Sequence, residues 1–313
     1  MYYIGVDLGG TNIAAGIVSE EGELLLKRSV PTLNGREYQP ILKDMAELCL
    51  ALIAEYGISL DEVKSIGVGS PGTPDPPNGI LVYANHLKFE NTPIRAEIQK
   101  YVDLPVYLEN DANCAALGEY TSGAAKGAKN AVMVTLGTGV GGGVIFDGKI
   151  MSGAYYGGGE LGHVVVQFNG EQCTCGRKGC WEAYASASAL IRDTKVAIAK
   201  NPLSGLSESV NGDIKLVTAK TPFDAAQQGC ALAQAVVDRY VHYVSEGIAN
   251  VINTFQPEIV VIGGGVCYQG DIILKPIKEQ VSRMVFGGNL KTEIMIATLG
   301  NDAGIIGAAM LGK

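Results

Sequence analysis

The sequence lacks the positive charge, the long apolar runs and the paired cysteines that mark several large classes of protein. Its 24 lysines and arginines are outnumbered by 32 aspartates and glutamates, and the net charge of −8 argues against a surface for nucleic acid or anionic membranes. No apolar run could span a membrane, and no basic, cleavable leader opens the chain. Four of the seven cysteines are scattered without paired spacing, as buried thiols of a reducing cytosol are. We therefore expect a cytoplasmic protein with neither nucleic-acid nor membrane partners.

The length of 313 residues is long for one core and fits two domains of ordinary size. Apolar residues make up 47% and charged residues 18% of the chain, which is typical of a globular protein. A run of small residues at 123–128 is the candidate junction. We expect a small N-terminal α/β domain at 1–118 and a larger α/β domain at 119–299, with a C-terminal helix at about 300–313 packing back on the first.

Strand and helix patterns alternate along the chain, which predicts an α/β fold. A helix is predicted after Pro40, where apolar residues recur at helical spacing and stop at Gly57. A proline-rich loop is expected at 73–79. The predicted strands cover residues 2–8, 12–19, 23–30, 65–70 and 105–109, and a second predicted helix covers residues 111–120.

A strand, a glycine turn and a second strand occur twice, once at the start of each half of the chain. Residues 6–11 read VDLGGT and residues 134–139 read VTLGTG, and an apolar strand follows each. Glycine lets a backbone approach a phosphate group and present N–H groups to it, and threonine adds a hydroxyl donor. The alternative is a pair of ordinary glycine hairpins. The repetition favours phosphate binding in a cleft between two similar halves.

Two familiar nucleotide-binding patterns are not supported. Glycines at 137, 139 and 142 match the dinucleotide pattern, but an apolar strand at 143–146 follows where that pattern requires a helix. The chain also has no phosphate loop of the GxxxxGK[ST] type. A third glycine turn at 263–265 follows the apolar strand 259–262 and leaves room for a flat ring or a ribose. We expect any nucleotide to bind at such turns.

Four zinc-type ligands lie within eighteen residues in the second half of the chain. Three cysteines and one histidine form the set of a closed tetrahedral zinc site, which leaves no position for a catalytic water. Glycines at 176 and 179 suit the tight turn between thiolates. The alternative is a disulfide pair with a spare thiol. If zinc binds one ring nitrogen of the histidine, the other ring nitrogen can be oriented toward a substrate. The ligands are His163, Cys173, Cys175 and Cys180.

Asp111 lies at the predicted boundary between a strand and a helix. It could be the N-cap of that helix. It could also be a carboxylate at a cleft that accepts the proton of a substrate hydroxyl, since phosphoryl transfer needs positioning and a late proton acceptor more than strong activation. The neighbouring Asn110 offers a donor and an acceptor in one side chain, which suits a sugar hydroxyl.

Together these patterns resemble the ROK family of bacterial sugar kinases and repressors, within the actin-like ATPase superfamily. The resemblance runs nearly end to end. It implies a two-domain α/β fold of the actin-like ATPase (ribonuclease H-like) type, with duplicated strand–glycine turn–strand halves and an inter-domain cleft that closes over sugar and nucleotide. The stretches that carry it are DLGGTN at 7–12, ENDAN at 109–113, LGTGVGGG at 136–143, ELGH at 160–163 and CTCGRKGCWE at 173–182.

The resemblance implies roles for residues that contact the sugar. Asp111 matches the catalytic base, which takes the proton from the 6-hydroxyl of the sugar. The run that follows Asn85 departs from the family's Asn-Leu-x-Trp pattern. Taken singly, Glu160 could be a surface acid and Glu182 a charge at a helix start. The implied sugar ligands are Gly72, Asn85, Asn110, Asp111, Glu160, His163 and Glu182.

The resemblance also implies two cofactors, which are ATP with Mg²⁺ and a structural Zn²⁺. Asp7 would lie near the magnesium, although alone it could form an Asx turn. The zinc ligands are the histidine and three cysteines named above. The implied nucleotide contacts are Gly9, Gly10, Thr11 and Asn12 in the first turn, Thr138 and Gly139 in the second, and Gly264 and Gly265 at the adenosine.

We therefore expect a glucokinase-type enzyme that makes a hexose 6-phosphate from MgATP, with glucose first among the sugars. Kinases for N-acetylglucosamine, N-acetylmannosamine, mannose or fructose are alternatives, because these sugars also present a 6-hydroxyl. Family repressors carry a DNA-binding segment before the first glycine turn, whereas six residues precede Asp7, so a sugar-sensing regulator is disfavoured. A nicotinamide-dependent oxidoreductase is disfavoured by the strand after Gly142. The family leads us to expect a homo-oligomer, a dimer or a tetramer.

Overall fold

The structure is a computed structural model, and it describes residues 1–85, 87–288 and 290–313. Strands and helices alternate along the chain, as the sequence pattern predicts. The strands are β1 Tyr2–Leu8, β2 Asn12–Ser19, β3 Leu24–Pro31, β4 Val63–Ser70, β5 Thr73–Asp75, β6 Ile80–Ala84, β7 Phe89–Thr92, β8 Val106–Asn110, β9 Ala131–Leu136, β10 Val140–Phe146, β11 Lys149–Ile150, β12 Ile259–Gly263 and β13 Glu293–Ile296. The helices are α1 Tyr38–Tyr56, α2 Ile94–Ile98, α3 Asp111–Ser122, α4 Glu182–Ala185, α5 Ala187–Lys200, α6 Gly205–Glu208, α7 Thr221–Gln227, α8 Ala231–Phe255, α9 Asp271–Met284 and α10 Ala303–Met310.

The chain forms two compact units. The first contains Met1–Met133, Gly143–Gly159 and Thr298–Lys313, and the second contains Val134–Gly142 and Glu160–Ala297. The first unit thus continues past residue 118, where the sequence analysis sets the domain boundary. The reason is packing, because α3 runs across that position and α10 lies directly against it: a Cβ built on Gly307 would lie 1.7 Å from the carbonyl oxygen of Cys114.

The first unit is built on a five-stranded sheet in the order β3-β2-β1-β4-β8. The first three strands form an antiparallel meander, whereas β4 is parallel to β1 and β8 is parallel to β4. Helix α1 buries apolar residues such as Leu42 and Met45 in the core beside this sheet. Helix α10 approaches closely because Gly5 and Gly67 carry no side chain: a Cβ on either would lie 1.8 Å from a carbonyl oxygen of α10.

Two further sheets complete the fold. One has the order β11-β10-β9-β12-β13, and the other is a short sheet of β5, β6 and β7. Every residue of β12 is buried, which explains its continuous apolar sequence. Residues 143–146 lie in β10, so the helix that a dinucleotide fingerprint requires is absent there. The expected loop at 73–79 is wrong in part, because its first three residues form β5. Within the described residues, no helix has the length and apolarity needed to cross a membrane.

Candidate active site

The junction of β8 and α3 holds the two predicted catalytic-site residues of the first unit. The side-chain oxygen of Asn110 accepts hydrogen bonds from the backbone N–H of Ala112 at 2.9 Å and of Asn113 at 3.3 Å, so Asn110 is the N-cap. The alternative reading of Asp111 as the N-cap is therefore wrong, because Asp111 is already the first helical residue. Its Oδ1 accepts a hydrogen bond from the backbone N–H of Ala112 at 2.8 Å, so the carboxylate still contacts the first turn of α3.

Asn110 is also bonded to the loop that contains Gly72. Its Nδ2 donates to the carbonyl oxygen of Gly72 at 3.1 Å. Gly72 has φ +96°, and a Cβ there would lie 2.0 Å from the carbonyl oxygen of Tyr83, so only glycine is compatible with this backbone. The structure therefore brings Gly72 and Asn110 together, as the sequence analysis predicts for two sugar contacts.

Glu109 supports this junction and has no assigned role in the sequence analysis. One carboxylate oxygen accepts from the backbone N–H of Asn110 at 2.8 Å and from Nδ2 of Asn113 at 3.0 Å. The other accepts from the hydroxyl of Ser152 at 3.0 Å. Because Glu109 is buried, these bonds replace the water that its charge would otherwise need. Its position at the end of an apolar strand was the available signal that it is buried.

Asp7 lies close to Asp111 although 103 residues separate them in the sequence. The two residues are close because β1, β4 and β8 are parallel, so that their carboxyl ends meet at one edge of the sheet. Burial, with a contribution from the charge of Asp111, raises the pKa of Asp7 from 3.8 to about 6. A Cβ built on Gly304 in the first turn of α10 would lie 3.4 Å from the Asp7 carboxylate, which accounts for part of that burial.

The first glycine turn joins β1 to β2 at the same edge of the sheet. The backbone N–H of Gly9 donates to the carbonyl oxygen of Asn12 at 3.0 Å and closes the turn. Thr32, the residue after β3, holds the turn with two hydrogen bonds. Its hydroxyl donates to the carbonyl oxygen of Gly9 at 2.7 Å, and its backbone N–H donates to the carbonyl oxygen of Thr11 at 2.8 Å. Thr11 and Asn12 are exposed and Gly10 is half-buried, so the turn is open to a ligand. The role of Thr32 has no signal in the sequence.

The second glycine turn, in the second unit, has a carboxylate against it. The N–H of Gly137 donates to the carbonyl oxygen of Gly139 at 3.0 Å, and the hydroxyl of Ser188 donates to that of Thr138 at 2.7 Å. The N–H of Val140 donates to Glu182 at 3.1 Å. A Cβ on Gly139 would lie 2.4 Å from the same carboxylate oxygen, so glycine is needed to admit it.

The third glycine turn lies beside the second. Gly264 has φ +91°, and a Cβ there would lie 2.4 Å from the carbonyl oxygen of Leu136, the residue before the second turn. Gly265 opens a short 3-10 turn and has open space at its Cβ position. The residues expected at the adenosine therefore adjoin those expected at the phosphates.

The four predicted metal ligands converge. Their ligand atoms all lie within 4.8 Å of one another. The sulfur of Cys173 is 3.6 Å from Nδ1 of His163, and the sulfurs of Cys175 and Cys180 are 3.6 Å apart. A tetrahedral zinc ion with bonds of about 2.3 Å holds its sulfur ligands about 3.8 Å apart, whereas a disulfide requires about 2.05 Å. The arrangement fits zinc and not the disulfide alternative.

The chain around these ligands contains a turn that requires glycine, and the pKa values of two of the thiols are shifted in opposite directions. Gly179 has φ +81°, and a Cβ there would lie 1.8 Å from the carbonyl oxygen of Gln167. The backbone N–H of Arg177 lowers the pKa of the Cys175 thiol, whereas burial raises the pKa of Cys180 to about 12. The positive charge of a metal ion would stabilise Cys180 as a thiolate in spite of this burial.

The two acids that flank the ligands have different surroundings. Besides Val140, Glu182 accepts hydrogen bonds from the hydroxyl of Thr174 at 3.1 Å and the thiol of Cys173 at 3.6 Å. Glu160 is exposed and precedes the 3-10 turn Leu161–His163. Glu182 is thus fixed between the metal ligands and the second glycine turn, whereas Glu160 is free to meet a ligand from solvent.

The described residues place Asn85 in the exposed turn between β6 and β7. Its carbonyl oxygen accepts from the N–H of Lys88 at 3.2 Å, and Lys88 has φ +56°. His86, in the same departure from the family pattern, lies outside the described residues. The sugar contact expected of Asn85 stays a prediction.

A family model described as the ROK family matches residues 3–313. The chain belongs to the ROK family. A glucokinase of Thermotoga maritima is 41% identical over 314 residues, which cover 99% of this ROK chain and 96% of that protein. Among solved structures, a ROK family glucokinase from Streptomyces griseus in complex with glucose and AMPPNP is 33% identical, with a TM-score of 0.81 and 99% of each chain covered. A ROK hexokinase from Thermus thermophilus is 34% identical, with a TM-score of 0.85 over 99% of this chain and 97% of that one.

These similarities confirm the family and the two-domain actin-like kinase fold that the sequence resemblance implies. In this ROK protein the first unit holds Asp7, the first glycine turn, Gly72, Asn110 and Asp111. The second unit holds the other two glycine turns, Glu160, Glu182 and the metal ligands. Glu109, Thr32 and Ser152, which fix the first set of residues, are additions from the structure.

Proposed function

We propose that this ROK protein is an ATP-dependent kinase that phosphorylates the 6-hydroxyl of a hexose, with glucose as its preferred substrate. The similarity to a glucokinase over 99% of the chain supports the substrate. The observation that carries the reaction is the adjacency of Asp7, Asp111 and the first glycine turn at the carboxyl edge of one sheet. Such an edge is where ligands bind in open α/β sheets.

Asp111 accepts the proton of the sugar hydroxyl in this proposal. Asp111 is the first residue of α3, where its Oδ1 accepts from the backbone N–H of Ala112 at 2.8 Å, and Asn110 is the N-cap. In the loose transition state of phosphoryl transfer the hydroxyl loses its proton late, so a carboxylate of ordinary basicity suffices. Asn110 and the Gly72 loop bind sugar hydroxyls, and Glu109 holds Asn110 in place through its backbone N–H.

The glycine turns bind the phosphate groups of ATP. Gly9, Gly10, Thr11 and Asn12 present an open hairpin in the first unit, and Thr138 and Gly139 present a second turn. Mg²⁺ bound with ATP would neutralise the charge that develops on the transferred phosphoryl group. Asp7 would face that ion, and with a pKa of about 6 it is ionised at neutral pH. Gly264 and Gly265 would contact the adenosine.

Zinc would be held by His163, Cys173, Cys175 and Cys180 in a closed structural site. With four protein ligands, the ion would supply rigidity and would leave no position for a reacting group. Nδ1 of His163 faces the sulfur ligands, which leaves Nε2 to bind a sugar hydroxyl together with Glu160 and Glu182. The zinc site thereby orients three sugar contacts.

An assay of ADP release with MgATP tests the proposal, with glucose, N-acetylglucosamine, N-acetylmannosamine, mannose and fructose as acceptors. We expect the highest kcat/KM with glucose. A higher value with another of these sugars would replace glucose and leave the kinase in place. No ADP release above the sugar-free rate with any of them would overturn the kinase.

A further inference from the structure

Trp181 is the only tryptophan of the chain, and it lies between a metal ligand and a proposed sugar contact. Cys180 precedes it and Glu182 follows it. Only 1% of Trp181 is exposed, so its indole belongs to the interior of the second unit. Trp181 has no role in the proposed kinase reaction, because a buried side chain can contact neither the sugar nor the nucleotide.

The indole of Trp181 is held by the backbone of α8. Its Nε1 donates to the carbonyl oxygen of Tyr243 at 2.7 Å. One turn further along the helix, a Cβ built on Gly247 would lie 1.8 Å from Cε2 of the indole. The ring therefore lies directly on the helix, and any side chain at position 247 must displace it, because a fused ring cannot bend aside.

The structure has a cavity into which a displaced indole could move. An apolar cavity of about 120 Å³ adjoins Trp181 and Gly247. Its wall includes Leu161, the residue between Glu160 and Gly162, and Val164, the residue after His163. The backbone N–H of Trp181 also donates to the carbonyl oxygen of Val164 at 2.8 Å. Movement of the indole would thus disturb both chain segments that carry the proposed sugar contacts of this unit.

We infer that Trp181 is a positioning residue for the sugar site, through which α8 fixes Glu182 and the segment 160–163. This inference rests on the proposed hexose kinase activity. Three hydrogen bonds hold the Glu182 carboxylate, from Val140, Thr174 and Cys173. None of them fixes its backbone, which Trp181 ties to α8. The contact at Gly247 therefore sets glucose affinity from a residue 65 positions away in the sequence.

Substituting Gly247→Ala tests the inference. We expect the KM for glucose to rise about tenfold, with kcat within about threefold of wild type, because the loss falls on ground-state binding of the sugar. Since Trp181 is the only tryptophan, its fluorescence reports the displacement directly: quenching by acrylamide should increase in Gly247→Ala. Ile277→Val, a mild cavity variant in the buried face of α9, is the control and should change neither quantity.

A variant with substitutions at both Trp181 and Gly247 distinguishes loss of the contact between these two residues from a general loss of structure. Alanine has no atoms beyond Cβ and so cannot meet a side chain at position 247 as the indole does, and in a Trp181→Ala background Gly247→Ala should change the KM for glucose by less than about twofold. An equal rise in both backgrounds would overturn the inference, and so would unchanged KM and quenching in Gly247→Ala alone, which decides the matter if Trp181→Ala does not fold. Wild-type protein that phosphorylates none of the five sugars refutes the kinase itself, which is a different outcome.

Discussion

Replacing Asp7 by asparagine should stabilise the protein at pH 8 while removing its kinase activity. Burial and the charge of Asp111 raise the pKa of Asp7 from 3.8 to about 6, so ionising this carboxyl in the folded protein is costly. A rise of this size corresponds to at most about 3 kcal/mol, and the water that reaches a partly exposed side chain reduces that value. Asparagine has the same shape without the charge. We expect a gain of about 2 kcal/mol in the free energy of unfolding at pH 8.

The sign of the pH dependence follows from the direction of the shift. Because the pKa of Asp7 is higher in the folded state, the folded protein binds more protons than the unfolded chain between about pH 4 and pH 6. The contribution of Asp7 to stability therefore falls as the pH rises through this window. Below about pH 4 the carboxyl is protonated in both states, and the substitution should have little effect. Above about pH 6 the whole gain should be present.

Thermal unfolding at pH 4 and pH 8, without nucleotide or magnesium, measures this difference. Free Mg²⁺ must be absent because a nearby cation favours the charged carboxylate. At pH 8, Asp7→Asn should unfold several degrees above wild type, and the exposed control Asp103→Asn should unfold with wild type. A difference of equal size at both pH values, or a less stable Asp7→Asn protein at pH 8, would refute the argument from burial. Loss of ADP release in Asp7→Asn would accompany the gain.

Three further substitutions test the proposed site. Asp111→Asn should lower kcat by about 10²-fold or more while glucose affinity, measured by calorimetry, stays within about threefold, because only proton transfer is removed; near wild-type turnover would exclude Asp111 as the base. Cys175→Ser should release zinc, measured by metal analysis, and weaken glucose binding about tenfold or more through lost orientation of His163 and Glu182; full zinc content with unchanged affinity would contradict a zinc-braced site. Gly139→Ala should raise the KM of ATP and of glucose together, because a Cβ there displaces the Glu182 carboxylate from Val140; a change in the KM of ATP alone would show that Glu182 does not couple to this turn.

Local features of the site were predictable from the sequence because they depend on neighbouring residues. The spacing of three cysteines and a histidine within eighteen residues predicted the metal cluster, and the four ligand atoms do converge. The apolar run after Gly142 predicted a strand, and β10 confirms it. The helix after Asn110 was also predictable, although which of Asn110 and Asp111 caps it depends on backbone angles that both residues can adopt.

Contacts between distant segments were not predictable in the same way. Thr32 pins the first glycine turn because β2 pairs with β3, and Ser152 reaches Glu109 across 43 positions. No periodicity or spacing encodes such a bond. The raised pKa of Asp7 likewise needs the ends of β1 and β8 to meet and α10 to cover them. Each of these depends on which strands become neighbours.

Local sequence patterns establish the family, the alternation of strands and helices, and the identity of the residues that could do the chemistry. They do so because hydrophobic periodicity, glycine turns and ligand spacing act over a few residues and can be read along the chain. How those residues are supported depends on the packing of the folded chain. Three supporting contacts join segments that are far apart in the sequence, and they arise from sheet order and helix packing. They are the contacts of Ser152 with Glu109, of Thr32 with the first glycine turn and of Gly247 with Trp181.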